Sequence, residues 1–349
     1  DDENASVALN GTINAVSRIP TFNFQASVNH IRPHALHLTP KYEGAEFSVK
    51  LKADFTGGSI DEMDGEINVD SLNYTSPDNS YFLNNLKLVA SRSDNHLKRL
   101  DLLSPFLRGN IEGDYSYRTL PASILNILRR YLPALLPQSG TSKPVETTNN
   151  FGFDLHIYDT EILSKVFGIP LTVYTHSTLK GYFNDKLQRM RVEGYFPHLR
   201  YDNKFIESGL ILCENPGDHF RTHVRFTNRK NDSAVNLSLE ASAKNDSLQT
   251  ILNWGNNGTV TYSGRLATTA TFVRQQLQEA SSKRSYRKRR KTSERPSSTL
   301  KTVIDIHPTD IILNDTLWNI HPAQVVLDSG KVHIRDFHFT NQKRYLSIN

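Results

Sequence analysis

The sequence predicts a mostly β protein: a long, curled antiparallel sheet with an open hydrophobic trough, shaped like a taco, with one amphipathic helix between two blocks of strands. Three observations lead there. Apolar and polar residues alternate with a period of two along most of the chain, most clearly where Phe47, Val49, Leu51, Ala53 and Phe55 alternate with Glu46, Ser48, Lys50, Lys52 and Asp54. Only one stretch, TLPASILNILRRYLPALL at 119–136, sustains a long helical period. With its 18 glycines added, the 37% apolar fraction reaches about 42%, under the usual ~45–50%, and the mean hydropathy is −0.49. A sheet with a single buried face gives such values.

Residues 1–118 form the first strand block. Gly57-Gly58 breaks its clearest strand, Asp64-Gly65 reads as a tight hairpin turn, and Ile67 and Val69 resume the alternation. Leu86, Leu88 and Ala90 follow the loop at Ser76–Asn79, and Ile111, Tyr115 and Tyr117 form the last strand. The helix is assigned to 119–137. Its apolar stripe is Ile124, Leu125, Leu128, Tyr131, Leu132, Leu135 and Leu136, with Asn126, Arg129 and Arg130 off it. Pro121 suits the first turn, Pro133 is expected to kink the last turn, and Pro137 stops the helix. Such a helix either seals a sheet or lies in a greasy groove or membrane interface.

The polar segment 138–150 (QSGTSKPVETTNN) reads as a linker. A second block, 151–280, repeats the theme with Phe153, Leu155 and Ile157, a short helix at 160–167, Leu171 and Val173 broken by threonine, and later Leu237 and Leu239. Residues 281–300 read as a basic, disordered loop, and strands resume over 301–349. About 16 strands are expected in all, a ribbon of roughly 75 Å at ~4.8 Å per strand. The chain begins DDENAS, ends within a strand pattern, and is read as a piece of a longer protein whose signal or anchor lies outside it.

Charge and chemistry exclude several classes. Lys283, Arg284, Arg287, Lys288, Arg289, Arg290 and Lys291 carry seven of the positive charges, so the rest of the chain stands at −2 against +5 for the whole. Tyr286 alone interleaves that run, so nucleic acid, which needs stacking aromatics, is not an expected partner. One cysteine, Cys213, rules out an internal disulfide framework and cysteine-based zinc sites. His30, His34 and His37 are interrupted by Pro33. His219 and His223 lack the glutamate of a zinc-protease helix. Asp61, Glu62, Asp64 and Glu66 lack the ligand alternation of a calcium loop and read as a solvated hairpin. No phosphate-binding glycine loop or nucleophile elbow occurs, and no run of 18 apolar residues. The sequence therefore predicts no enzyme, cofactor or metal.

Two stretches carry a family likeness. Residues 104–137, SPFLRGNIEGDYSYRTLPASILNILRRYLPALLP, place a strand before an amphipathic helix. Residues 314–339 contain Trp318, Ile320, Pro322, Val325, Asp328, Gly330 and Ile334 at repeat-like spacing. Both resemble the TamB family of Gram-negative envelope proteins, within the AsmA-like and bridge-like lipid transfer superfamily. The basic run departs from that pattern. The resemblance implies a periplasmic segment, anchored in the inner membrane from outside this chain, that carries phospholipid between inner and outer membranes in support of outer-membrane biogenesis. It also implies a TamA-type outer-membrane barrel as partner, and hence protein translocation and assembly as an alternative role. The groove lining expected is Phe47, Val49, Leu51, Phe55, Ile67, Val69, Leu86, Leu88, Phe153, Leu155, Ile157, Leu171, Val173, Leu237 and Leu239. The rivals are a closed structural or adhesive β-sandwich and a transmembrane barrel, the latter disfavoured by strands broken by threonine and charge.

Overall fold

The computed structural model describes residues 2–92, 97–136, 147–230, 233–276, 298–342 and 344–348. Strands account for 65% and helix for 7%, and the strands form one large antiparallel sheet that is not closed into a barrel. Among the described residues there are 23 strands rather than about 16, because the region after residue 306 divides into six short ones whose turns leave little trace in composition. The chain divides into two compact units, Asp1–Pro121 with Thr147–Ile211 and Ala122–Glu146 with Leu212–Asn349.

The first unit contains β1 (Ala5–Asn14), β2 (Thr21–Ile31), β3 (Glu46–Thr56), β4 (Asp64–Thr75), β5 (Ser80–Arg92), β6 (Lys98–Leu103), β7 (Leu107–Asp114), β8 (Asn150–Ile157), β9 (Leu171–Val173), β10 (Ser177–Asn184) and β11 (Arg189–Tyr201). Each strand from β1 to β8 pairs antiparallel with the next; β8 then pairs with β10, β10 with β11, and β9 with the far end of β11. The helix lies between two strand blocks in chain order, but the sheet runs on across it. Strands β7 and β8, on either side of it in sequence, are hydrogen-bonded neighbours from Leu107↔Ile157 to Asp114↔Asn150, and the boundary between units falls in β12 (Lys204–Glu214) instead.

Asp64-Gly65 is not a turn. Asp64 pairs with Thr56 and Gly65 with Phe55 inside the β3–β4 ladder, and the chain reverses through a 3-10 turn at Ile60–Glu62. Gly65 has φ 133°, and a Cβ there would lie 2.2 Å from the Asp54 carbonyl oxygen, so only glycine lets the strands approach this closely under Phe55. Asp61, expected in a solvated acidic hairpin, accepts hydrogen bonds from the Ser116 hydroxyl and the Tyr117 amide, each 2.8 Å. Burial opposes its charge, but those donors and Lys98 outweigh it and hold the carboxyl below the usual range. Asn149, assigned to the linker, is 2% exposed. Its side chain accepts from the Ser116 amide at 2.7 Å and donates to the Thr119 hydroxyl at 3.1 Å, closing the base of the excursion between β7 and β8. Asn150 is already the first residue of β8. The linker residues 138–146 lie outside the described residues.

The second unit contains β13 (Phe220–Lys230), β14 (Ser233–Lys244), β15 (Ser247–Asn256), β16 (Tyr262–Gln276), β17 (Ser298–Ile306), β18 (Thr309–Leu313), β19 (Thr316–Ile320), β20 (Ala323–Asp328), β21 (Lys331–Arg335), β22 (Phe337–Thr340) and β23 (Tyr345–Ile348). Strand β16 is long enough to pair with both β17 and β18, where the ladder branches. The basic run 283–291 lies outside the described residues, but Gln276 and Ser298 on either side of it are paired in β16 and β17.

Helix α1 (Leu120–Tyr131) is shorter than expected. Pro133 has no N–H to donate, so the helix ends before it instead of kinking. The last carbonyls of a helix need partners from elsewhere, and here the Asp246 amide donates to the Tyr131 carbonyl at 2.9 Å. The Asp246 carboxylate in turn accepts from the Ala134 amide at 2.6 Å. Asn245 and Asp246, with φ values of 50° and 58°, make the two-residue turn that joins β14 to β15. Both residue types tolerate this left-handed backbone, so the tight turn can present its polar groups to the end of α1.

The buried seam of α1 is Ser123, Ile127 and Tyr131, with Leu132 beyond it, whereas Ile124 and Leu125 of the expected stripe are 38% and 39% exposed. Leu128 and Leu135 are half-buried. Within this unit Tyr131 meets the Phe220 ring at 6.0 Å, and its hydroxyl accepts from the Asn215 amide at 2.9 Å.

Candidate functional site: an apolar sheet face

In the first unit the register lines up side chains of one kind across strand after strand. One row runs Ile13, Phe22, Phe55, Gly65, Ala90, Leu100, Ile111, Phe153, Gly181, Val192, crossing ten strands without a polar residue. A parallel row runs Phe24, Ala53, Ile67, Leu88, Leu102, Gly109, Leu155, Leu179. Beside them lie Leu51↔Val69↔Leu86 and Val49↔Leu72↔Leu83. One position along, on the other face, the row reads Asn23, Asp54, Glu66, Val89, Asp101, Asn110, Asp154 and Lys180, polar throughout except for Val89. There Lys87 pairs with Glu66 at 2.7 Å and Arg99 with Asp101 at 2.9 Å. The Lys87 ammonium, with Asn68, holds the Glu66 carboxyl below its ordinary range. The sheet thus has one apolar face and one charged, polar face, as strict alternation requires.

The second unit repeats the arrangement. Phe226, Leu237, Trp254, Gly264, Ile311 and Trp318 form one row, and Val224, Leu239, Leu252 and Leu266 another. A Cβ on Gly264 would lie 2.4 Å from the Trp254 ring, so the indole lies across the glycine. Trp318 stacks on Phe339 with centroids 4.5 Å apart.

Of the expected groove residues, Phe47, Val49, Leu51, Phe55, Ile67, Val69, Leu86, Leu88, Phe153, Leu155, Ile157 and Leu237 are all half-buried, and Leu239 is 37% exposed. A second layer packed on this face would bury them; neighbours within the rows cover them only in part. A small cavity of about 160 Å³ opens on the face, lined by Ile67, Val69, Leu86, Leu88, Leu102 and Phe106. Two of the expected residues, Leu171 and Val173, lie in β9, outside the rows traced above. Val173 is 3% exposed, in a strand that contacts α2 (Glu161–Phe167), whose Val166 is equally buried, and its amide donates to the Thr160 hydroxyl at 2.9 Å. Val173 pairs with Leu199 at the far end of β11, beyond the β10–β11 ladder. Leu171 is 43% exposed beside it. The face also includes residues absent from the expected lining, chiefly Phe22, Phe24, Ala26 and Val28 of β2. Their alternation in TFNFQASV is plain once the strand is recognised.

His219 and His223 lie on or beside a strand, not a helix, and each faces its own acid, Asp218 and Glu240. Among the described residues no three His, Cys, Asp or Glu side chains converge to hold a metal ion, and no helix is long and apolar enough to cross a membrane. Comparison with protein-family models, with curated proteins and with solved structures finds no match to this chain.

Proposed function

We propose that the chain is a non-enzymatic conduit for phospholipid, whose apolar sheet face shields acyl chains from water while headgroups stay in solvent. The observation that carries this reading is the pair of rows crossing the first unit: apolar or glycine at every position, with the large side chains only half-buried, and backed by a charged, polar face. The physics favours such a surface. A phospholipid with about 30 acyl methylenes faces roughly 24 kcal/mol if moved bare through water, at ~0.8 kcal/mol per methylene. A row of near-equivalent apolar positions removes that cost at each step, and because neighbouring positions differ little, no single lipid is held fast. Transfer of this kind needs no bond making and no catalytic group.

The likeness of residues 104–137 and 314–339 to TamB proteins supports placing the conduit in the periplasm, between inner and outer membranes and next to a TamA-type barrel. Photo-crosslinking tests the face. Benzophenone side chains at Phe47, Val49, Leu51 or Phe55 are expected to capture phospholipid in cells, and the same groups at Lys50 or Lys52 are not. Capture only from the two lysines, or only of protein, contradicts the reading.

A further inference from the structure

We propose that His156 and His176 form a chelating site for a divalent late transition-metal ion such as Zn²⁺, on the charged face of the first unit. Nδ1 of His156 and Nε2 of His176 face each other at 2.9 Å. The ring planes are 11° apart and the centroids 5.2 Å; that spacing is the in-plane contact of two imidazole nitrogens rather than a face-to-face stack. An ion with bonds of ~2.0–2.1 Å at a tetrahedral angle needs nitrogens about 3.3 Å apart. Placing a metal between the two nitrogens therefore asks each ring to tilt and the nitrogens to part by a few tenths of an ångström. The backbone is set for this: His156 lies in β8, and His176 directly precedes β10, where Ser177 pairs with Ile157.

A carboxylate lies near the far side of His156. Its Nε2 lies 3.5 Å from the Asp154 carboxylate. A ligating histidine commonly donates its other N–H to a carboxylate, which fixes the tautomer and makes the ring a better ligand. Asp154 is placed to orient the His156 ring once the metal is bound. A neighbouring positive charge is Arg108, across from His156 in β7, and its guanidinium sits 5.6 Å from the Tyr158 ring centre. Tyr158 also stacks on His176 at 5.1 Å, which limits that ring's rotation. With two protein ligands, water completes the coordination, so the site is an open chelate and not a closed structural centre.

Zn²⁺ titration by calorimetry, on the untagged chain in a non-chelating buffer, tests this. Saturable binding of one ion is expected, weakened at least about tenfold by His156→Gln or His176→Gln and by a smaller factor in Asp154→Asn. Diethyl pyrocarbonate footprinting of the unaltered chain gives an answer that does not depend on how the variants fold. Zn²⁺ is expected to protect His156 and His176 ahead of the other histidines. No saturable binding up to about 1 mM Zn²⁺, binding unchanged in both histidine variants, or protection confined to other histidines would each overturn the proposal.

Discussion

Ile127→Asp is expected to lower stability by about 3–5 kcal/mol and to release α1 from the second unit. Ile127 has no exposed surface, so a carboxylate there has neither water nor a partner, and the cost is comparable with a large part of the ~5–15 kcal/mol that holds a domain together. The control lies on the same helix. Ile124 is 38% exposed, and Ile124→Asp is expected to change stability by only about 0.5 kcal/mol. Thermal melting followed by circular dichroism, with limited proteolysis near Pro133, reads both. Equal losses in the two variants would contradict the seam through Ser123, Ile127 and Tyr131.

Leu51→Asp and Leu88→Asp are expected to do the reverse: keep the fold and lose the lipid. Both side chains are half-buried, so burial contributes only about 1–2 kcal/mol at each, and water reaches the new carboxylate when the face is empty. Passing acyl chains would still meet a hydrated charge in the middle of an apolar row. Val173→Asp marks the contrast, since Val173 is 3% exposed in a strand that contacts α2; there the charge is expected to cost several kcal/mol and to disrupt the α2 region. Folded Leu51→Asp protein without lipid supports the open face. Unfolding of Leu51→Asp to the extent seen for Val173→Asp would favour a closed core, and full lipid retention in well-folded Leu51→Asp and Leu88→Asp would refute the conduit.

Much of this architecture is legible in the sequence, because alternation is a local signal. The run from Phe47 to Phe55 declares its own face, and the register then carries it across the neighbouring strands. The features that escape a reading of the sequence depend on partners distant along the chain. Asp64-Gly65 has the composition of a turn, yet its glycine serves a close approach to Phe55. Val173 alternates like a groove residue but lies in a strand that contacts the helix formed by the preceding segment. The stripe expected for α1 follows apolar composition with no knowledge of which side is covered, and it passes over Ile127, the most buried residue of the helix along with Ser123. Asn149 looks like linker because a buried polar clasp is visible only through its partners, Ser116 and Thr119. Composition undercounts the strands because two-residue turns such as Asn314-Asp315, with φ values of 53° and 59°, interrupt the pattern too briefly to register.

Whether the apolar face carries lipid is tested most directly by native mass spectrometry of the gently purified chain. Adducts with the mass of phospholipids are expected on the unaltered chain, displaced by added detergent and strongly reduced in Leu51→Asp and Leu88→Asp. A chain that is folded by circular dichroism yet free of phospholipid when taken from lipid-rich membranes would contradict the conduit.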